Sequence, residues 1–335
     1  MGGLLNALRG LVIAGAVVLG LISLVGAAGA IGGAWSARLD VLAHFAPVWA
    51  GMGLAAAVIA FPLGSRLGGG LGVAGLGLAL VLIVPEVLAA WALPQGRLAA
   101  PDLKIVEFNL WGRNRDQDGT AAWILAQDAD IVVLEEAFGG TERILAALRR
   151  HYAHVTPCRR SPCSSVIMSR QAPLASGDMV RLPGETHLSG SWATFDSPRG
   201  PFTVVGAHFT WPIPVGPQRM QRRVLLRSIT PFNRRRLIIA GDFNTAPWSA
   251  AMRRLDRALE IPRYSRALPS WPAARFTRLN ILFPFPFMPI DHVWAGRAWQ
   301  VRVTRGPRLG SDHYPLVIQL SDGPGLNAEA VAPQP

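Results

Sequence analysis

Four residues, Gly241-Asp242-Phe243-Asn244, follow the apolar run Leu237-Ile238-Ile239-Ala240. A carboxylate and a carboxamide two positions apart at the mouth of a buried strand suit a hard metal ion and a phosphate. Gly241 permits a sharp turn of the backbone. Period-two alternation sets Asp242 and Asn244 on one face and Phe243 on the other. A strand running into a polar turn would carry the same residue types. The motif therefore takes its meaning from what recurs elsewhere in the chain.

It does recur. Leu103 to Phe108 is strand-like and ends at Asn109-Leu110-Trp111. Thr120 to Gln127 has a helical pattern, and Ile131 to Leu134 is an apolar strand that ends at Glu135-Glu136. Ser165 to Met168 and Trp192 to Phe195 read as further strands, and Phe202 to Ala207 ends at His208. Late in the chain come Pro289-Ile290-Asp291-His292-Val293 and Gly310-Ser311-Asp312-His313-Tyr314-Pro315. Polar residues able to handle a phosphate stand where apolar strands stop. A lone histidine at a strand end is usually a satisfied polar residue, and His292 is read as structural.

Six blocks carry a family resemblance: Phe-Asn-Leu-Trp (108–111), Asp-Ile-Val-Val-Leu-Glu-Glu (130–136), Ala-His-Phe (207–209), Gly-Asp-Phe-Asn (241–244), Ile-Asp-His (290–292) and Ser-Asp-His-Tyr-Pro (311–315). Their order resembles the endonuclease/exonuclease/phosphatase superfamily, DNase I-like proteins, and within it membrane-anchored bacterial members of the VanJ phosphatase type. The resemblance implies an α/β fold, a four-layer α/β/β/α sandwich of two packed sheets with the site at one edge. It implies Glu136, Asn109 and Asp312 as metal ligands for Mg²⁺ or Mn²⁺. Asp242 would orient and deprotonate the attacking water, and Asn244 would hold that water or a phosphoryl oxygen. His208 and His313 would donate to charge developing on phosphorus, and Asp291 would pair with His313 and keep it protonated. Glu135 departs from the family pattern, which has Gln there, so the metal ligand is aligned with Glu136. The resemblance does not reach residues 1–100.

That first part is of another kind. Its only Asp, Glu, Lys and Arg are Arg9, Arg38, Asp40, Arg66, Glu86 and Arg97. Three charge-poor stretches, from Gly10, Val41 and Leu67, are each long enough for a helix across a hydrocarbon core. The expected organisation is a membrane anchor of three transmembrane helices over 1–93, a linker over 94–102, a catalytic domain over 103–320 and a disordered tail over 321–335. The abundant Gly and Ala suit close helix packing in lipid. Glu86 reads as an interfacial residue near a helix end.

Arginine counts on the two sides of the spans nearly tie, and the amino terminus tips slightly to the cytoplasm. Three spans then place the catalytic domain outside the cytoplasm, at a plasma or inner membrane. Cys158 and Cys163 are the only cysteines. They are read first as a loop disulfide, then as free thiols, and last as ligands with His151 and His154. A disulfide would agree with an oxidising compartment.

The chain holds 33 Lys and Arg against 21 Asp and Glu. Four Arg and two acids fall within the first hundred residues, which leaves 29 against 19 for the rest. Such a field favours anionic partners without choosing among them. A lipid-linked phosphate or pyrophosphate held near the bilayer is the first expectation, with the apolar stretch 281–288 as a lip that could dip into the interface. A membrane-anchored nuclease is the alternative. A non-catalytic scaffold is disfavoured because Asp242 and His313 are intact. No obligate protein partner is implied, and the Arg-rich stretch 219–236 is read as a solvated helix face.

Overall fold

The computed structural model describes residues 2–93, 98, 101–157, 164–184, 186–273, 275–276, 281–282 and 285–323. Cys158 and Cys163, most of the linker, Phe283 and Pro284 and nearly all of the tail lie outside the described residues.

One compact unit takes in Met1–Ala89 and Thr245–Arg254. It contains α1 (Gly2–Gly32), α2 (Ala37–Asp40), a 3-10 turn over Val41–Phe45, α3 (Ala46–Ala60) and α4 (Arg66–Ala92). The stretches Gly2–Ala34, Ala37–Ala60 and Arg66–Ala92 are long and apolar enough to cross a membrane. Pro47 is tolerated because it sits in the first turn of α3, where no intrahelical N–H bond is lost. The helices meet through small residues. A Cβ on Gly53 would lie 2.6 Å from the carbonyl oxygen of Gly72, and one on Gly72 would lie 2.5 Å from that of Gly53. Glu86, read from the sequence as an interfacial residue near a helix end, is buried.

Residues 245–254 join this unit through specific bonds. Asp40 accepts the backbone N–H groups of Ala250 and Ala251, each at 2.7 Å, and so caps the start of a helix distant in sequence. The Trp248 indole donates to the Ala43 carbonyl at 2.6 Å. No local pattern in the sequence signals these contacts.

The other unit is Ala90–Asn244 with Leu255–Pro335. In chain order its elements begin with β1 (Leu103–Asn109), α5 (Gln117–Ala126), β2 (Ile131–Glu135), α6 (Glu142–Leu148), β3 (His154–Val155) and β4 (Ser165–Ser169). They continue with β5 (Ala175–Asp178), β6 (Ser189–Phe195), β7 (Phe202–His208), α7 (Pro217–Ser228) and β8 (Leu237–Asp242). Then follow α8 (Ala250–Leu259), of which residues 250–254 are counted with the first unit, β9 (Arg275–Phe276), β10 (Ile281–Leu282), β11 (Asp291–Ala295), β12 (Trp299–Arg305) and β13 (Leu316–Asp322).

Among these, one six-stranded sheet has the order β12-β13-β1-β2-β4-β3 and a five-stranded sheet the order β11-β8-β7-β6-β5. Both are mixed: β1 and β2 are parallel, as are β7 and β8, and the remaining pairs are antiparallel. Alternation within each strand assigns the faces. Leu103, Ile105, Ile131 and Val133 meet Val204, Ile238, Ala240 and Val293 in a core between the two sheets. Val106, Phe108, Val132 and Leu134 face the other way and pack with Ile124 of α5 and Ile144 and Leu148 of α6. Helix α7 buries Val224 and Leu225. The two mixed sheets with their helices are the α/β sandwich expected from the sequence.

Candidate active site

The polar residues expected to do chemistry stand at strand ends that the topology gathers together. Asp242 closes β8, and Asp291 opens β11 directly opposite it in the antiparallel register. Asn109 closes β1, and Glu136 follows β2, its parallel neighbour. His208 closes β7, and His313 lies in the turn before β13. Several backbones here are left-handed: Trp111 at φ 57°, Glu136 at 49° and Asn244 at 45°. Such conformations cost of order 1–3 kcal/mol each and cluster where side chains must be aimed.

Gly241 behaves differently from the expected turn. It lies inside β8 with φ 148°, and a Cβ there would stand 2.1 Å from the Ala207 carbonyl oxygen. Its role is close approach to β7. Asn244 also reaches Asp242 by another route than strand alternation, because β8 stops at Asp242 and the chain turns back. The Asn244 backbone N–H donates to Asp242 Oδ1 at 2.8 Å, and its Nδ2 donates to Asp242 Oδ2 at 3.1 Å and to the Phe209 carbonyl at 2.9 Å. Phe243 faces away into an aromatic cluster with Phe209 and Trp294.

Asp242 is the centre of the hydrogen-bond network. Its Oδ2 also receives Asn109 Nδ2 at 3.0 Å, and His208 Nε2 and His313 Nε2 stand 3.5 Å and 3.8 Å from it. Burial pushes the Asp242 carboxyl up to about 8, with Asp291 adding to the rise. His313 and the hydrogen bonds from Asn244 and Asn109 act against it.

His313 Nδ1 binds Asp291 Oδ2 at 2.9 Å. Burial alone would lower the pKa of His313. The charges of Asp291 and Asp242 and the bond to Asp291 override it and hold the imidazole well above its ordinary value. These partners favour the imidazolium form of His313, which Asp291 aims. His208 is the opposite case. Its Nδ1 pairs with Ser164 Oγ at 3.2 Å, and burial lowers its pKa to about 4. It is a neutral imidazole that can offer one N–H.

Glu136 is held from one side. Its Oε2 accepts the Gly112 N–H at 2.9 Å, and Oε1 has only a long 3.5 Å approach from Asn109 Nδ2. Among the described residues Asp312 Oδ1 is buried with no hydrogen-bond partner, His313 Nε2 standing 4.0 Å away. Burial raises the Asp312 carboxyl, with His313 opposing and the Glu136 charge adding. A set of hard oxygen donors with surplus negative charge and an unsatisfied carboxylate oxygen fits a divalent cation. Glu136, Asn109 and Asp312 would hold it. Asp242, Asp291 and His313 also bring one ligand atom each within 4.8 Å of one another. There both Asp291 oxygens lie within 3.1 Å of His313 Nδ1, an arrangement that orients the imidazole. When bound, a cation would polarise the phosphoryl oxygen and offset its charge.

The sequence reading missed what lies beneath. Glu107 and Glu135 sit on neighbouring strands and are both fully buried. Among the described residues, no group other than the two glutamates themselves donates to their four carboxylate oxygens. The two side chains are within hydrogen-bonding reach of each other, so one carries a proton for the other. Burial first, then Asp291, raises both carboxyls well above the usual range.

A consequence follows for stability. A carboxyl whose folded pKa stands above its unfolded value weakens the fold as pH rises above about 4.3, until the folded pKa is passed. Glu107→Gln is expected to add about 1.4 kcal/mol of unfolding free energy at pH 7 in EDTA for each unit of raised pKa removed, seen as a higher melting temperature and a flatter fall above about pH 4.3. A lower melting temperature at pH 7 would count against the buried proton-sharing pair.

Supporting residues were also missed. Ser311 Oγ donates to the Asn109 carbonyl at 2.7 Å and accepts the His313 N–H at 3.0 Å, which ties β1 to the His313 turn. Ser270 Oγ accepts the N–H groups of Ile290 and Asp291, each at 3.2 Å. Serines of this kind have no pattern of their own in a sequence. His292 is fully buried beside Ser265 and Phe243, in keeping with a structural role.

The fold is a two-sheet sandwich with carboxylates and histidines gathered at its strand ends. A family model described as Endonuclease/Exonuclease/phosphatase family matches residues 106–313, more than half of the chain. The chain belongs to that family. Among solved structures, it is similar to a mutant beta toxin from Staphylococcus aureus with bound magnesium ions, at 14% identity and a TM-score of 0.51, over 65% of this chain and 99% of that one. Sphingomyelinase C from Streptomyces griseocarneus is 16% identical with a TM-score of 0.50, over 66% and 99%. TDP2 of D. rerio, complexed with single-strand DNA product, is 16% identical with a TM-score of 0.51, over 65% and 98%. At these identities the likeness establishes the fold. No curated protein matches the chain by sequence.

Proposed function

We propose that this protein is a membrane-anchored, Mg²⁺- or Mn²⁺-dependent phosphoester hydrolase that acts on a lipid phosphate or pyrophosphate of the cell envelope. The observation that carries the proposal is Asp242. It is a buried carboxylate with both oxygens oriented by Asn109 and Asn244, flanked by the His313–Asp291 pair. Asp242 takes a proton from water. His313, a cation, donates to the phosphoryl oxygen as charge grows there, and neutral His208 donates a second hydrogen bond. Glu136, Asn109 and Asp312 would hold the metal, which would polarise the phosphoryl oxygen.

The membrane half of the proposal rests on the three apolar helices of the same chain. The chain lies in a plasma or inner membrane with its catalytic domain outside the cytoplasm. A lipid phosphate presents its head group at the interface and keeps its tails in the bilayer, so an anchored enzyme searches in two dimensions. The basic excess of residues after 100 favours a second reading, hydrolysis of nucleic acid.

Two measurements decide. The full chain in detergent with Mg²⁺ is expected to hydrolyse a prenyl or glycerolipid phosphate faster than plasmid or single-stranded DNA. A reporter fused after residue 320 is expected to read an extracytoplasmic location. Preferred cleavage of DNA would put the nuclease reading first, and a cytoplasmic signal would remove the topology.

A further inference from the structure

The loop between β7 and α7 leaves directly from the catalytic strand ends. The Phe209 N–H donates to the Asp242 carbonyl at 2.8 Å. The Thr210 N–H donates to Gln221 Oε1 at 2.9 Å, and Gln218 Nε2 donates to the carbonyls of Thr210 at 2.7 Å and Asn244 at 3.2 Å. Both feet of the loop are thus fixed to the site.

Between them runs Trp211-Pro212-Ile213-Pro214-Val215-Gly216-Pro217, without a formal charge. Trp211 is 62% exposed, Ile213 65% and Val215 37%. Large apolar side chains concentrated on one exposed loop mark an interaction site more than chance exposure does. The three prolines matter for the backbone. They carry no N–H, so the loop has fewer donors to strip of water on entering an apolar phase.

The helix that follows adds charge. Arg219, Arg223 and Arg227 stand four residues apart on the exposed side of α7, opposite the buried Val224 and Leu225, and the helix has no acidic residue. An apolar tip with a basic stripe behind it is the pattern of a segment that lies in a lipid interface, with tryptophan near the head groups and arginines against anionic phosphates. Trp211 could stack on a base, but Ile213 and Val215 beside it have no hydrogen-bonding group with which to read one, and labels on them separate the two partners. The chain's own apolar helices keep the enzyme at a bilayer.

We propose that the loop 211–217 inserts into an anionic bilayer surface, with Arg219, Arg223 and Arg227 on its head groups, and so sets the catalytic strand ends at the depth of a lipid phosphate. The last clause rests on the reading of the site as a lipid phosphate hydrolase. The insertion itself does not.

The test uses the full chain with Cys158→Ser and Cys163→Ser, reconstituted in phosphatidylglycerol–phosphatidylcholine vesicles. An environment-sensitive fluorophore is placed at Ile213→Cys or, in a second protein, Val215→Cys. Leu174→Cys, exposed near the Thr194 end of the sandwich, is the reference. Labels at 213 and 215 are expected to shift to the blue and to be quenched by lipids brominated on their acyl chains, while 174 stays in water. Replacing the three arginines by Gln is expected to reduce the shift in anionic vesicles and to leave it unchanged in pure phosphatidylcholine.

Labels at 213 and 215 as wet as 174 would overturn the proposal. So would shielding that requires added single-stranded DNA. Activity is a separate readout: Trp211→Ala with Ile213→Ser is expected to lower hydrolysis of bilayer-embedded lipid phosphate about tenfold and to spare a water-soluble phosphoester. Quenching at 213 in an enzyme that cleaves only DNA would keep the insertion and remove the lipid substrate. An equal loss on soluble and embedded substrates would remove the depth-setting role.

Discussion

Asp242→Asn is expected to lower hydrolysis by about 10²–10⁴-fold while the fold persists. The side chain is 1% exposed, and its two oxygens accept three hydrogen bonds, one from Asn109 and two from Asn244. An amide fills the same volume but takes no proton from water. It also turns one end of the group into a donor facing other donors, so a small loss of melting temperature accompanies the larger loss of rate.

The pH profile separates this role from a merely structural one. Burial raises Asp242 to about 8, so the base form accumulates, and the wild-type rate climbs, as pH rises towards that value. A divalent cation beside Glu136 would draw the midpoint lower by favouring the charged form. The variant should lose the climb as well as the rate. Near-wild-type hydrolysis of any verified substrate by Asp242→Asn would sink the assignment of this residue as the base.

Much of this arrangement is written locally. Apolar runs set the strands: Leu103–Asn109, Ile131–Glu135, Ser165–Ser169 and Phe202–His208 lie within a residue of where hydrophobic pattern alone puts them. The helix read over Thr120 to Gln127 begins earlier, at Gln117, because Asp116 caps it by accepting the Gly119 N–H. The strands β12 and β13 were not read at all. β12 alternates, with Trp299, Val301 and Val303 buried, and that period-two pattern was available in the sequence.

What no local pattern carries is pairing. Asp291 faces Asp242 only because β11 lies antiparallel to β8 in that register. Glu107 and Glu135 look like solvent-facing interruptions of apolar runs. They are buried because both fall on the face of β1 and β2 that looks into the other sheet. The bond from Asp40 to Ala250 spans 210 residues and has no sequence signature.

Removal of divalent metal is expected to abolish activity, and Mg²⁺ or Mn²⁺ is expected to restore it. The reason lies in charge. Burial raises Asp242 and Asp312, the charge of Asp291 adds to the first and that of Glu136 to the second, and His313 is set among them. A hard cation on Glu136 and Asp312 would relieve that surplus and satisfy the lone Asp312 Oδ1. Glu136→Gln keeps the shape and the Gly112 hydrogen bond through its amide oxygen but removes one negative charge. Its Mg²⁺ half-saturation should rise about 10–100-fold, and the rate at saturating metal should recover in part.

Binding is followed apart from turnover by the electron paramagnetic resonance of Mn²⁺ titrated into the full chain. The wild type should take up Mn²⁺, Glu136→Gln should do so only at higher concentration, and Asp242→Asn should bind nearly as the wild type does. Asp312→Asn then counts the ions. A fall from two bound Mn²⁺ to one assigns Asp312 its own site, whereas one weakened site in both variants means that Asp312 and Glu136 share a single ion. Full activity in chelator, or restoration by zinc alone, would mean that the oxygen-rich donor set had been misread.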